Sequence, residues 1–600
     1  MKPLDLSLRL VAMLGLVPAV WAEDQLPDSS AAQLPPPGVI SAMPSPDDIN
    51  FLPPPVEPAP ALPFDLREIE PVLPKLSTGA DSNQLFSAPR VFVKEFRFVG
   101  NTVFSSGALR GVLKSYTGRE LTSEEIEAAR QAITAHCVNH GYINSGAVLE
   151  DQDIAQGVIE FHVVEGKLTE IRVTGNRWFR TFWLRQELRR AAGNPLNFNG
   201  LKQGLQVMRQ TPTIAQVNAE LQPGGKPGES ILTAQVKDTQ PFEASLTFSN
   251  NRPPSVGSNN IVVNVADNNL FGLNDPLRLE WGPAHSGGDT ISDGWEYAGN
   301  ANYGGSYAFP FTPWGTTLEI HGYKSDSAII EEPFTLLNIT SRLANYGLVI
   351  TQPIIHTMTN ELSASVGLEK AYSKTFLLGQ PFDITPGSVN GVSDVTMIPL
   401  TLQGINRSQV HVLSLRSTVN IGITALGATS DNGPQPDSNF VSWIGQVEYI
   451  RRLFDNGTML VARMNAQVSN RQLLSLEQFS LGGMESVRGY SENELLRDNG
   501  VFNSVEIRVP VWKRKEDDPI VTIAPFFDIG TGWNEAKANT ASPTAQTQTL
   551  TSLGVGLLVS PTKWINGELY WGHGFERNFV ISGNNLQYDG IHFSLTISTP

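Results

Sequence analysis

Two short stretches of this 600-residue chain carry residue types and spacings suited to a charge-assisted lock. The first, 481–497, reads LGGMESVRGYSENELLR and sets one cation, Arg488, among Val487, Gly489 and Tyr490, in a segment too glycine-rich to be helix or strand throughout. The second, 525–532, reads PFFDIGTG, a strand that turns polar once, at Asp528, between Phe526 and Gly530. A guanidinium presents a planar fork of donors that matches a carboxylate. A cation set among apolar residues needs an anion or water. Arg488 and Asp528 are therefore expected to pair; the plainer alternative is that each faces water. In a wet setting the pair is expected to matter less than the roughly 3–5 kcal/mol lost when a buried pair is broken. Exchanging the two charges is then expected to restore part of what either single loss removes.

Two further groups attract attention. His136, Cys137 and His140 close a helix in a spacing that resembles half a metal site. Histidine also suits the last turn of a helix, and no second ligand pair accompanies them, so a structural role is expected and no metal. The run 177–190, RWFRTFWLRQELRR, is both basic and aromatic. Its aromatics, Trp178, Phe179, Phe182 and Trp183, are expected to include the core face of a helix. Arg177, Arg180 and Arg185 are the candidates for gripping a passing polypeptide, with lipid headgroups as the alternative. No G-x-x-x-x-G-K-S/T loop, G-x-S-x-G elbow or H-E-x-x-H pair occurs, so neither enzymatic activity nor a cofactor is expected.

The elements that must position these residues follow from pattern and composition. Six hundred residues imply several domains. A net charge of -16 argues against nucleic acid as a partner. No run of eighteen apolar residues occurs, which excludes a membrane helix and leaves open a membrane barrel, where apolar residues fall at every second position. Lys2 and Arg9 flank the start of a short apolar stretch, 10–20, that ends in Val20-Trp21-Ala22; residues 1–22 read as a signal peptide. Thirteen prolines between Pro35 and Pro74 make 23–87 an extended, partly polyproline linker, which the resemblance given below implies to be periplasmic. The lone cysteine, Cys137, forms no internal disulfide, so the exported fold is held without staples.

A repeat comes next. Glu95-Phe-Arg-Phe-Val-Gly-Asn101 recurs as Glu170-Ile-Arg-Val-Thr-Gly-Asn176, each a strand ending in a Gly-Asn turn, so two like domains are expected, at 88–166 and 167–238. In the first, Thr122-Ser-Glu-Glu125 is a capping box opening a helix to His140, with Ile126, Ala129, Ile133 and Cys137 on one face. In the second, helices are expected over 181–192 and 201–210 and a last strand over 230–237. From 239 to 600 helical periodicity disappears. Phe242, Ala244, Leu246 and Phe248 alternate with polar residues, as do Ile591, Phe593, Leu595 and Ile597, and the region divides into about sixteen strands. Short turns such as Asp455-Asn456-Gly457 and long polar loops such as 427–439 fit a membrane barrel.

The V-R-G-Y and F-x-D-x-G pair, with the Gly100-Asn101, Gly141-Tyr142 and Glu165-Gly166 landmarks, resembles the signature of outer-membrane translocators that carry POTRA domains. Two such domains before a barrel resemble the transporters of two-partner secretion, the TpsB family. The resemblance implies a multi-domain chain of two α+β POTRA domains and a transmembrane antiparallel β-barrel of about sixteen strands. It places Arg488 on a long loop folded back into the barrel, after which strand 12 begins, and Asp528 on the inner face of strand 13. It further implies a monomer in the outer membrane, among its lipids, whose POTRA domains capture a large secreted exoprotein, a TpsA-type adhesin or toxin. Related translocators often place a plugging helix ahead of these domains, for which only 64–70 is a candidate. A barrel-assembly factor and a passive porin or receptor are the alternatives.

Overall fold

The computed structural model describes residues 90–152, 156–283, 301–329, 337–431, 435–514, 518–535, 547–576 and 585–599. The expected signal peptide, the Pro-rich linker and the candidate plug segment 64–70 lie outside the described residues.

The repeat in the sequence becomes a repeat in space. In the first unit, strands Glu95–Val99 and Gly146–Val148 flank a central strand, Val158–Val164. Helices α1, Ser106–Val112, and α2, Ser123–Asn139, cover one face. The capping box opens α2: the Thr122 hydroxyl accepts from the Glu125 amide at 3.2 Å and the Glu125 carboxylate from the Thr122 amide at 2.9 Å. Ile126, Ala129, Ile133 and Cys137 are buried along its inner face. His136 and His140, at its end, pack their rings 4.3 Å apart and against Phe104.

In the second unit, strands Lys167–Thr174 and Ile214–Pro223 flank Glu229–Asp238, under helices α3, Thr181–Ala192, and α4, Phe198–Met208. Helix α4 starts three residues earlier than its apolar pattern indicates. Asn197 accepts the Gly200 amide at 3.0 Å and so caps a turn with no periodic signal of its own. The aromatic run divides: Phe179 and Trp183 join the core, whereas Trp178 and Phe182 stay outside it.

The two Gly-Asn turns are built alike. Gly100 and Gly175 have φ of 84° and 85°, and a Cβ on either would meet a carbonyl oxygen, of Val163 or Val236, at 2.7 Å. Asn101 donates to the Phe104 carbonyl and Asn176 to the Phe179 carbonyl, each at 2.7 Å. A carboxylate at the end of each unit then accepts the amides that follow: Glu165 takes Thr102 and Val103, and Asp238 takes Arg177, Trp178 and Phe179. Burial pushes the Glu165 carboxyl up, but its hydrogen bonds from Thr102 and Val103 outweigh this and hold it below the usual carboxylate range. A depressed folded value means stabilisation that is present above the unfolded carboxylate range and lost as pH falls through the folded value. Protection of the amides at 95–103, measured against the intrinsic exchange rate at each pH, is expected to fall as the pH drops below the unfolded carboxylate range and to lose that dependence in Glu165→Gln. An unchanged pH slope in the variant would refute the assignment.

Sixteen strands, numbered here in chain order, then close an antiparallel barrel, from strand 1, Phe242–Ser249, to strand 16, Ile591–Ser598. Strand 16 pairs back onto strand 1, from Ser594 opposite Ser249 to Ser598 opposite Ser245. Short turns, such as 357–359 and 408–410, alternate with long connections, such as 424–440 and 470–498. Leu246, Leu348, Leu553 and Leu595 stand open on the outer wall, while the intervening residues turn inward. The units are joined end to end. Phe198 donates its amide to Gly141 at 2.8 Å and Leu196 to Gly166 at 2.7 Å, across the two α+β units. The second unit meets the barrel through Arg180, whose amide and Nε reach the Gly272 and Phe271 carbonyls at 2.9 and 3.0 Å.

Candidate functional site

The loop between strand 11, Met459–Ser469, and strand 12, Asn499–Lys513, leaves the long-loop rim and folds back into the barrel. Its two legs pair as a small ladder, Phe479–Leu481 against Leu495–Arg497, which presents 482–494 as a tip. The base is fixed by Asp498, whose carboxylate accepts the Leu473 and Glu535 amides at 3.0 Å each.

At the tip, Arg488 meets Asp528 on strand 13, Pro519–Trp533, as its fork geometry requires. Its Nε donates to one carboxylate oxygen at 2.8 Å and its Nη2 to the other at 2.9 Å, and the Arg488 amide adds a third bond at 3.1 Å. Nη2 also reaches the Ser504 hydroxyl at 3.0 Å, and Nη1 pairs with Glu506, both on strand 12. The guanidinium lies over the Phe526 ring, 3.7 Å from its centroid, and 4.8 Å from the centroid of Tyr570, which meets Phe526 edge-on at 5.9 Å. Arg488 is 1% exposed and Asp528 0%. This corrects the expectation of a wet pair: the charges are enclosed, so the larger cost of breaking one partner applies.

The other signature residues receive the tip. Val487 is fully buried beside Leu481, and a Cβ on Gly530 would stand 2.6 Å from Leu481 and 2.9 Å from Val487. Gly489, at φ 94°, passes so close to strand 15, Ile565–Gly574, that a Cβ on it would lie 2.7 Å from the Gly572 backbone. Tyr490 covers Gly574 and donates its hydroxyl to the Thr551 carbonyl at 3.1 Å. Small residues on strands 13 and 15 thus form a recess that the V-R-G-Y tip fills.

Three contributors were not singled out from the sequence. Glu506 is a second anion for Arg488 and is itself paired with Arg508 at 2.6 Å, which leaves two cations facing two anions. Its signal was present: Ser504, Glu506 and Arg508 alternate with Val505, Ile507 and Val509, which marks them as inward-facing. It also bears on the expected charge exchange, since an aspartate at 488 would face Glu506. His592, on strand 16, accepts the Gly489 amide at 3.4 Å. Gln587 bridges two loops through one buried amide group: its oxygen accepts the Glu492 amide at 2.9 Å, and its nitrogen donates to the Arg252 carbonyl at 2.8 Å and to that of Asn250. The tip is thereby tied to the connection after strand 1, beside the ladder that closes the barrel. The alternation of 591–597 turns His592 inward without picking it out from its polar neighbours, and nothing in the pattern marks Gln587, because both act through backbone groups distant along the chain.

The three capture candidates are not brought together as one grip. Arg180 is engaged at the barrel junction, Arg177 lies over the Trp178 ring, and Arg185 is exposed on α3.

Comparison with known proteins follows the same outline. The family described as "Haemolysin secretion/activation protein ShlB/FhaC/HecB" matches residues 228–559, more than half of the chain, and the "POTRA domain, ShlB-type" matches 91–166. The "Outer membrane transporter CdiB" of Dickeya dadantii is 25% identical over 440 residues, 72% of this chain and 75% of its own length. The "Heme/hemopexin transporter protein HuxB" of Haemophilus influenzae is 22% identical over 463 residues, 75% of this chain and 78% of its own. The solved structure of CdiB from Escherichia coli shares the fold at a TM-score of 0.67 and 21% identity, covering 88% of this chain and 93% of that one.

Proposed function

The chain belongs to the haemolysin secretion/activation family ShlB/FhaC/HecB, and from that premise we infer how this outer-membrane transporter of two-partner secretion handles its cargo. Its two α+β units lie in the periplasm and take up an extended exoprotein, an adhesin or toxin. Uptake uses backbone pairing along open sheet edges. Strand Ile214–Pro223 is such an edge, ten residues long and paired on one side only among the described residues. The barrel then conducts the chain to the surface without ATP, since folding outside makes the passage one-way. The protein acts as a monomer, because its sixteen strands leave no edge for a second copy to complete.

The observation that carries this reading is the buried Arg488 fork holding a long loop inside the lumen. A channel that only passed solutes would not need a cation enclosed against two carboxylates to keep its own loop in place. Val487, Arg488, Gly489 and Tyr490, received by Phe526, Asp528 and Gly530, act as the catch of that loop.

Deleting the gene is expected to remove one large protein from the cell surface and culture fluid and leave it trapped or degraded in the periplasm, with other outer-membrane barrels at normal levels. A general loss of barrels would replace this reading with assembly. Lost uptake of a solute, with the secreted proteins unchanged, would replace it with a passive pore.

A further inference from the structure

Exposed aromatic and basic residues gather where the second POTRA unit meets the barrel. Trp178 and Phe182 are 40% and 60% exposed, and the Arg177 guanidinium lies 5.2 Å from the Trp178 ring centroid. Their position on the barrel is fixed by Arg180, which is hydrogen-bonded to the carbonyls of Phe271 and Gly272 in the turn after strand 2, Asn260–Asp267.

Phe271 shows which side of the wall this is. It is 58% exposed and sits edge-on to Tyr307 at 6.1 Å, and Tyr307 stacks on Phe309 at 5.7 Å. Both belong to strand 4, Ala301–Pro310, in step with exposed Tyr303 and out of step with buried Asn302. They therefore share the outward, apolar face. At the far end of α3, Arg190 lies against Gly315, in the turn that carries exposed Phe311 and Trp314. Helix α3 thus runs between two turns whose aromatics continue the lipid-facing wall at its periplasmic end.

Tryptophan and tyrosine concentrate at that depth of a bilayer, and basic helix faces interleaved with aromatics bind anionic interfaces. In a chain of net charge -16, the segment 177–190 carries Arg177, Arg180, Arg185, Arg189 and Arg190 and a single acid, Glu187. A polypeptide bound for the lumen would have to pass the inner side of this rim, whereas the patch continues the outer side. We propose that Trp178 and Phe182, with Arg177, Arg185 and Phe271, rest on anionic phospholipid headgroups of the periplasmic leaflet and hold the second POTRA unit against the membrane.

The test uses the full-length protein in nanodiscs of phosphatidylcholine alone and of phosphatidylcholine mixed with phosphatidylglycerol, read by amide exchange over 177–189. Exchange is expected to slow in the anionic discs by roughly fivefold per arginine engaged. The difference is expected to vanish in the Arg177→Glu/Arg185→Glu variant and in salt of about 1 M, where screening acts within about 3 Å. Trp178→Ser/Phe182→Ser, both at exposed positions, is expected to reduce protection in either disc. Equal exchange in the two lipids, or an anionic effect that survives the arginine reversal, overturns the proposal. Protection that appears only with added carboxymethylated casein, whatever the lipid, overturns it in favour of polypeptide capture.

Discussion

Arg488→Ala is expected to abolish secretion while the protein still reaches the outer membrane as a heat-resistant barrel. The variant removes the cation from between Asp528 and Glu506, both within the enclosed wall. Two carboxylates are then buried with only Arg508 to offset them, and a broken buried pair costs about 3–5 kcal/mol. The cheapest relief is to let water in by releasing the loop tip, since the barrel itself is held by its strand ladders. Asp528→Ala is expected to be similar but milder, because Glu506 still pairs with the guanidinium. Exchanging the charges, as Arg488→Asp/Asp528→Arg, is expected to fail as completely as Arg488→Ala, because the new aspartate meets Glu506. Secretion of the exoprotein against outer-membrane levels measures all three. Substantial recovery in the exchange variant would show that Glu506 does not face residue 488 in the working protein.

Gly489→Val is expected to expel the tip without altering any charge. The residue sits at φ 94°, a region that costs a β-branched side chain about 1–3 kcal/mol, and its Cβ would stand 2.7 Å from the backbone of Gly572. Strand 15 has no freedom to retreat, since it is laddered to strand 14, Gln548–Thr562, and to strand 16. The loop must therefore yield. Surface protease is expected to cut within 482–494 in intact cells carrying Gly489→Val and not in the unaltered protein, with secretion lost in parallel. A protected loop in the variant would place the tip elsewhere than against Gly572.

Much of the architecture was legible because it rests on local periodicity. Alternation along 242–248 and 591–597 gives strands with one apolar face, and Thr122 with Glu125 writes a helix start into four residues. The repeated Gly-Asn turns give two like units because only glycine tolerates that approach of a carbonyl oxygen. Helix α1 was not apparent, being seven residues opened by a single serine cap, and α4 began early under its asparagine cap. The split of the aromatic run was equally hidden. Helical spacing places Phe182 and Trp183 on different sides of α3, but only the packed sheet decides which side is inside.

For the site, the sequence by itself determined the ingredients: a lone arginine among small and aromatic residues, and an aspartate interrupting an apolar strand. Those followed from charge and spacing, which are properties of neighbouring residues. Tertiary structure decided that the pair is dry, that Glu506 makes it a triad, and that Gln587 and His592 tie it to the barrel's closing strands. Each of these depends on barrel closure, which brings together groups with no periodic relation to one another, as when Asn250 reaches Ile591 across 341 positions. Desolvation of a charge is set by everything around it, so no local pattern could have fixed its magnitude.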